Sequence, residues 1–214
     1  MSENASSQRS RRESNEGGGG LARTDSFHLF RYSHIFAAAV REVLEVRLLR
    51  EATELPLTLS QFHLLKLMAV NGQHQLGEVA DFLGVSPPAA TKNIDKLERL
   101  GLVIRMPSPG DRRAILLSVS PKGRRLVRDY ERLKTARVAP VLEGFEPEEL
   151  EQFSRLLERF AVALLALSPG GDGFCLRCAA YLAAGCPVGE VRGGCPYEKM
   201  RGGRQVQLGR EEVP

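Results

Sequence analysis

Four cysteines, Cys175, Cys178, Cys186 and Cys195, stand in a C-x2-C-x7-C-x8-C pattern in the last fifth of the chain. Thiolates in such a cluster are ligands for a soft metal ion or a metal cluster. The surrounding segment carries little that could form a core, so metal binding is its readiest source of order. Glycines at 185, 189, 193 and 194 let the backbone wrap closely, and Cys186-Pro187 and Cys195-Pro196 are Cys-Pro pairs. Two metals fit: a structural tetrahedral Zn²⁺, or a [4Fe–4S] cluster acting as a redox sensor. The second CxxC knuckle of a zinc ribbon is missing, which tilts the reading toward iron–sulfur. Thiol switching by reversible disulfides and inert buried cysteines are the other readings. The four histidines, His28, His34, His63 and His74, have no metal spacing with the cysteines and read as packed or surface residues.

A second group of side chains is basic. Lys92 and Lys96 follow the run Val85-Ser86-Pro87-Pro88-Ala89, and Arg112 and Arg113 follow Gly110-Asp111. Lysines and arginines spaced along neighbouring elements suit the phosphates and grooves of a polyanion. What must position them is a helix followed by a hairpin. Ser86 is a natural N-cap, and Pro87 sits at the first helical position, where its missing N–H costs nothing. With Ile94 at the centre of the buried side, Ala90 and Leu97 share that side at 3.6 residues per turn, and Leu100 closes it. The opposite face then shows Ala89, Lys92 and Lys96, flanked by Pro88, Thr91 and Asn93; Asp95 is its one acid. After Gly101 the period becomes extended: Leu102–Met106 and Ala114–Val119 read as two strands. The Pro/Gly-rich loop between them makes them a β-hairpin. Asp111 can orient one arginine of its tip by a bidentate pair and leave the other to reach out.

The rest of the chain supplies the frame. Residues 1–25 read as a disordered tail, since Ser, Asn, Arg, Glu and four consecutive glycines bury little apolar surface. From Ser26 to about Ala52, Phe27, Phe30, Ile35, Phe36, Val40, Val43, Leu44 and Leu48 recur at helical spacing. That stripe is wider than one small domain needs and suits packing against a second subunit. Thr58-Leu59-Ser60-Gln61 is a capping-box pattern opening a helix that carries Phe62, Leu65 and Met68 inward and stops at Asn71-Gly72. A short link at Leu76 leads to a small helix, Glu78 to Leu83. Ser120-Pro121 caps a long helix running to about Leu142, and Glu146-Pro147 starts a last one running to about Leu167.

The order is helix, helix, turn, helix, hairpin. The fold class expected is mainly α with a small β-hairpin wing: a dimeric winged helix-turn-helix. Residues 57–126 resemble the MarR family of transcriptional regulators. The resemblance rests on Leu76-Gly77-Glu78-Val79-Ala80 with Leu83-Gly84-Val85-Ser86, then Ile94-Asp95-Lys96-Leu97-Glu98-Arg99-Leu100-Gly101-Leu102-Val103. Asp111-Arg112-Arg113-Ala114 and Leu117-Ser118-Val119-Ser120-Pro121-Lys122-Gly123 complete it. With its flanking helices the likeness covers residues 26–167, leaving 168–214 as a cysteine-rich tail that it does not explain. The resemblance implies a homodimer interlocked by its terminal helices, straddling a pseudo-palindromic site on double-stranded DNA. It also implies a small-molecule effector pocket between the dimer helices and the winged lobe. DNA-binding positions implied are Ser86, Pro88, Ala89, Thr91, Lys92, Asn93 and Lys96 on the recognition helix, with Asp111, Arg112 and Arg113 on the wing. Pro87, Pro88 and Ala89 replace the polar or basic residues common there, so base readout at the helix start is thin, although Ala89 can touch a thymine methyl.

Net charge is +4 and the pI about 9.0, compatible with a nucleic-acid partner. The N-terminus is polar, with no apolar signal core, and Phe160–Leu167 is too short to span a bilayer. A cytoplasmic protein with no membrane partner is therefore expected. There is no phosphate-cradling glycine loop before a helix and no Ser/His/Asp or Cys/His set in a plausible order, so no enzyme is expected. The sequence thus points to a DNA-binding regulator, in the first instance a repressor, with redox or metal input through the cysteines. The alternatives are a redox or metal-cluster protein that uses the winged helix for docking, and a winged-helix interaction module that does not touch DNA.

Overall fold

The computed structural model describes residues 23–83, 85–108 and 115–167. The wing-tip residues Asp111, Arg112 and Arg113 and all four cysteines lie outside the described residues. The chain divides into two compact units, Met1–Val43 and Leu44–Pro214. The first holds helix α1 (Arg23–Ala39), on which Phe27, Phe30, Tyr32, Ile35 and Phe36 are all exposed. The apolar stripe read from the sequence is present, but a single chain leaves it open to solvent.

The helix expected to run unbroken to Ala52 is interrupted: Val40–Arg47 is π-helical and α2 (Leu48–Ala52) follows. A π turn carries an extra residue, which shifts the side-chain register beyond it. Here Leu48 and Leu49 become buried together, and the Leu44 carbonyl accepts a 2.7 Å hydrogen bond from the Tyr130 hydroxyl. A hydrophobic stripe does not encode that bond, because its donor is 86 residues away.

Helix α3 (Leu59–Asn71) is the centre of the second unit. Its capping box is formed as the sequence predicts: Gln61 N–H donates to Thr58 Oγ1, and Thr58 N–H donates to Gln61 Oε1. Gly72, at φ +81°, ends it. Every residue from Gln61 to Met68 is buried, a wider burial than the Phe62, Leu65 and Met68 stripe alone. Polar residues are therefore trapped on this helix, and each is met by another element. Gln61 reaches Asn93, His63 lies 3.6 Å from Glu45, and Lys66 pairs with Glu131 while its ammonium sits over the Tyr130 ring. Burial of this kind is tolerated where the polar atoms are paired.

Where a plain link was expected around Leu76, there are two strand residues, β1 (His74–Gln75), and then α4 (Leu76–Leu83). Two residues are too few for any periodicity to announce; they exist because β3 offers them an edge. Strands β2 (Val103–Pro107) and β3 (Ile115–Val119) form the hairpin, with Val103 opposite Val119 and Arg105 opposite Leu117. Among the described residues the sheet is antiparallel in the order β1-β3-β2. Helix α5 (Pro87–Arg99) lies between α4 and β2 in the chain, and α6 (Pro121–Leu142) and α7 (Pro147–Ala166) follow the hairpin.

The root of α6 is packed tightly. Ser120 Oγ accepts from Gly123 N–H at 2.9 Å and donates to the Gly101 carbonyl at 2.6 Å, and Lys122 Nζ donates to the Leu100 carbonyl. Gly123 is buried against Leu102 and Val119. Helix α7, by contrast, buries no residue: Phe153, Leu156, Leu157 and Leu164 are exposed, as are Val141, Leu142 and Phe145 before it. Among the described residues, no helix is long and apolar enough to cross a membrane.

Candidate nucleic-acid interface

The site is built on α5. Its buried side consists of Ala90, Ile94 and Leu97, each fully enclosed, as the 3.6-residue spacing predicts. Burying that stripe fixes the rotation of the helix, so the opposite face is determined too. Pro88 and Lys92 are exposed there, while Ala89, Thr91 and Lys96 are half-buried around them. Ser86 occupies the N-cap position with extended backbone, and its carbonyl accepts from the Ala89 and Ala90 N–H groups. Its hydroxyl makes no capping hydrogen bond, contrary to the usual reason for a serine at this place. Thr91 Oγ1 donates to the Pro87 carbonyl at 2.8 Å.

Asn93 has a role the sequence does not reveal. Its Oδ1 accepts from Gln61 Nε2 at 3.2 Å, and its Nδ2 donates to the Ala89 carbonyl at 3.2 Å. Gln61 itself is buried and caps α3 with its other amide atom. A continuous path thus runs from the α3 N-terminus through Gln61 and Asn93 into the first turns of α5. Both polar atoms of the Asn93 amide are engaged inside the protein, so Asn93 docks α5 on α3.

Arg105 escaped the sequence reading, and Ser120, read there as the cap of α6, makes a second bond besides its capping one. Arg105, on β2, holds the carboxylates of both Asp95 and Glu98: Nη1 donates to Glu98 Oε2 at 2.6 Å, and Nη2 pairs with Asp95 Oδ1. Ser120 joins the turn after α5 to the start of α6. Acids three apart on a helix, Asp95 and Glu98, share a face and signal a possible basic partner, but the sequence does not say which strand residue supplies it. The described residues contain no cluster of three or more His, Cys, Asp or Glu side chains fit to hold a metal ion.

A small-tipped helix with a basic outer face, docked on a second helix and followed by a hairpin, is the arrangement that winged helix-turn-helix proteins present to DNA. Comparison with known proteins agrees. Residues 57–115 match the model of the MarR family. In its winged-helix segment the chain is therefore similar to the MarR family. That family is one of transcription regulators, not of enzymes. Among curated proteins, the chain is similar to the HTH-type transcriptional regulator YkoM of Bacillus subtilis. The two are 27% identical over 128 residues, covering 60% of this chain and 82% of that one. Among solved structures it is similar to RV1404 of Mycobacterium tuberculosis, with a TM-score of 0.58 and 25% identity over 66% of this chain and 97% of that one. FabT of Streptococcus pneumoniae, solved in complex with DNA, gives 0.57 and 23%, with 67% and 100% covered. A MarR family protein of Bacillus stearothermophilus gives 0.55 and 24%, with 68% and 99% covered. These likenesses establish the mainly helical winged fold.

Proposed function

We propose that this MarR-type chain is a sequence-specific regulator that docks on double-stranded DNA as a homodimer, most simply as a repressor. The observation that carries the reading is the outer face of α5. Burial of Ala90, Ile94 and Leu97 leaves small residues (Pro88 and Ala89) at the leading end and Lys92 and Lys96 beyond. Small residues near base edges and lysines near phosphates are what a major-groove helix needs. The FabT neighbour was solved with DNA bound, so this scaffold accommodates a duplex. On this reading Arg112 enters the adjacent minor groove, with Asp111 and Arg113 beside it on the wing.

The dimer is supported by apolar faces that a single chain exposes to solvent. α1 and α7 each expose several large side chains in a single chain, among them Phe27, Phe30, Phe153 and Leu157. Faces of this size on a water-soluble regulator fit an interface between two copies. A dyad-related pair of α5 helices reads two half-sites about one helical turn apart. Selection of bound duplexes from a random pool therefore enriches an inverted repeat with that spacing. Enrichment of a lone half-site, or of nothing, overturns the dimeric reading.

Signal input has two places in this proposal. One is a small-molecule pocket between dimer helices and winged lobe. The other is a metal centre, iron–sulfur or zinc, on Cys175, Cys178, Cys186 and Cys195. Either acts by changing the separation of the two α5 helices, to which DNA affinity is sensitive. Anaerobic purification with a metal assay and an absorption spectrum tests the second. A visible band that bleaches on oxidation supports a cluster, stoichiometric zinc supports a structural site, and metal-free protein overturns both.

A further inference from the structure

The recognition helix carries an acid where a DNA-facing helix can least accommodate one. Asp95 lies three residues after Lys92 and one before Lys96, and Glu98 follows three residues later. Spacing of i,i+3 puts Asp95 within reach of Lys92 along the helix surface. Left to themselves, Asp95 would tie up Lys92 and both carboxylates would repel phosphates. The structure meets this with one residue: the Arg105 guanidinium takes both carboxylates, one on each terminal nitrogen. All three side chains are partly shielded, with Arg105 the least exposed at 28%. A guanidinium can do this because its donors form a rigid fork, whereas an ammonium is a single point charge. Arg105 stands on β2, the strand that leads out to the wing, so the same contact fastens the wing to the recognition helix.

We propose that Arg105 is a positioning residue for DNA binding: it holds Asp95 and Glu98 away from Lys92 and from the phosphates, and makes the helix and hairpin dock as one body. The inference rests on the DNA-binding reading above. It makes Arg105 act through the two acids and not by touching DNA.

The test is a mutant cycle in the full-length chain, read by fluorescence anisotropy on one duplex over a range of salt concentrations. Arg105→Met is expected to bind on the order of tenfold more weakly than wild type, as when a shielded charge pair loses one partner. Asp95→Asn with Glu98→Gln is expected to bind at least as tightly as wild type. Adding Arg105→Met to that pair is expected to change affinity less than about twofold, because nothing is left for the arginine to hold. The salt slope of Arg105→Met is expected to match wild type, whereas losing a phosphate contact from each protomer would flatten it by about 2. Arg105→Lys keeps the charge without the fork and the fold with less disturbance, and is expected to lie between wild type and Arg105→Met. An equal loss in both backgrounds, or a flattened slope, makes Arg105 a direct DNA contact and overturns the inference alone. Wild-type affinity in both Arg105 variants overturns it as well. A wild-type chain that does not bind duplex DNA removes the DNA-binding reading and this inference with it.

Discussion

Gly123→Ala tests how the wing and α6 are joined. A Cβ at Gly123 would stand 2.4 Å from the Leu102 carbonyl oxygen and 2.7 Å from Val119 Cγ1. The first neighbour is backbone, so no side-chain rotation relieves the clash, and the first turn of α6 must back away from the turn that follows α5. That retreat strains the 2.6 Å bond from Ser120 Oγ to the Gly101 carbonyl and the 2.9 Å bond from Lys122 to the Leu100 carbonyl. Overpacking a core costs about 1–3 kcal/mol, and a part-buried hydrogen bond weakened alongside adds about 1 kcal/mol. A total near 3 kcal/mol shifts the melting temperature of a chain this size by roughly 6–12 °C. Thermal and urea unfolding followed by circular dichroism, on the dimer at fixed concentration, measure it. A melting temperature within about 2 °C of wild type would refute the reasoning, since the close approach of α6 to Leu102 could not then be real.

Three other outcomes are expected. Lys92→Ala weakens binding to all duplexes alike and, counted over two protomers, lowers the magnitude of the salt slope by about 2; an unchanged slope places Lys92 away from phosphates. Asn93→Ala leaves the buried Gln61 Nε2 without its acceptor, at a cost of about 1–3 kcal/mol in urea unfolding. It weakens DNA binding without altering base preference, and a changed preference would make Asn93 a base-reading residue. Lys66→Met tests the pair that buried Lys66 makes with half-buried Glu131. Burial pushes the Lys66 ammonium below its ordinary range, more than the hydrogen bond and charge of Glu131 raise it. The folded form then holds this proton less tightly than the unfolded chain, so the charge opposes folding at neutral pH and stability rises with pH toward 10.5. Lys66→Met is expected to be at least as stable as wild type at pH 7, with an advantage that shrinks as pH rises; a less stable variant shows that the pair stabilises the fold.

Legibility in the sequence followed locality. The capping box of Thr58 and Gln61, the proline start of α5, the Ala90–Ile94–Leu97 stripe and the hairpin strands depend on neighbours a few residues away, and pattern alone placed them within a residue or two. Features set by distant partners were not legible. The π segment places the Leu44 carbonyl opposite Tyr130, β1 needs the edge of β3, and the paths from Gln61 to Asn93 and from Arg105 to Asp95 and Glu98 cross between elements. Asn93 shows the consequence for function. Its place beside the outer face of α5 suggested DNA contact, yet its partners are Gln61 and the Ala89 carbonyl. Asp95 shows the converse: an acid that looked out of place on a basic face is neutralised from a strand whose arginine carried no signal of its own.

The central claim is that two copies of this chain present α5 to one duplex. The most direct measurement is equilibrium binding to a selected duplex between 50 and 200 mM salt, on the order of the range where phosphate contacts dominate, with the mass of the complex determined alongside. The account predicts two chains per duplex and an affinity that falls by about 10³-fold or more across that range. One chain per duplex, or an affinity indifferent to salt, would contradict it.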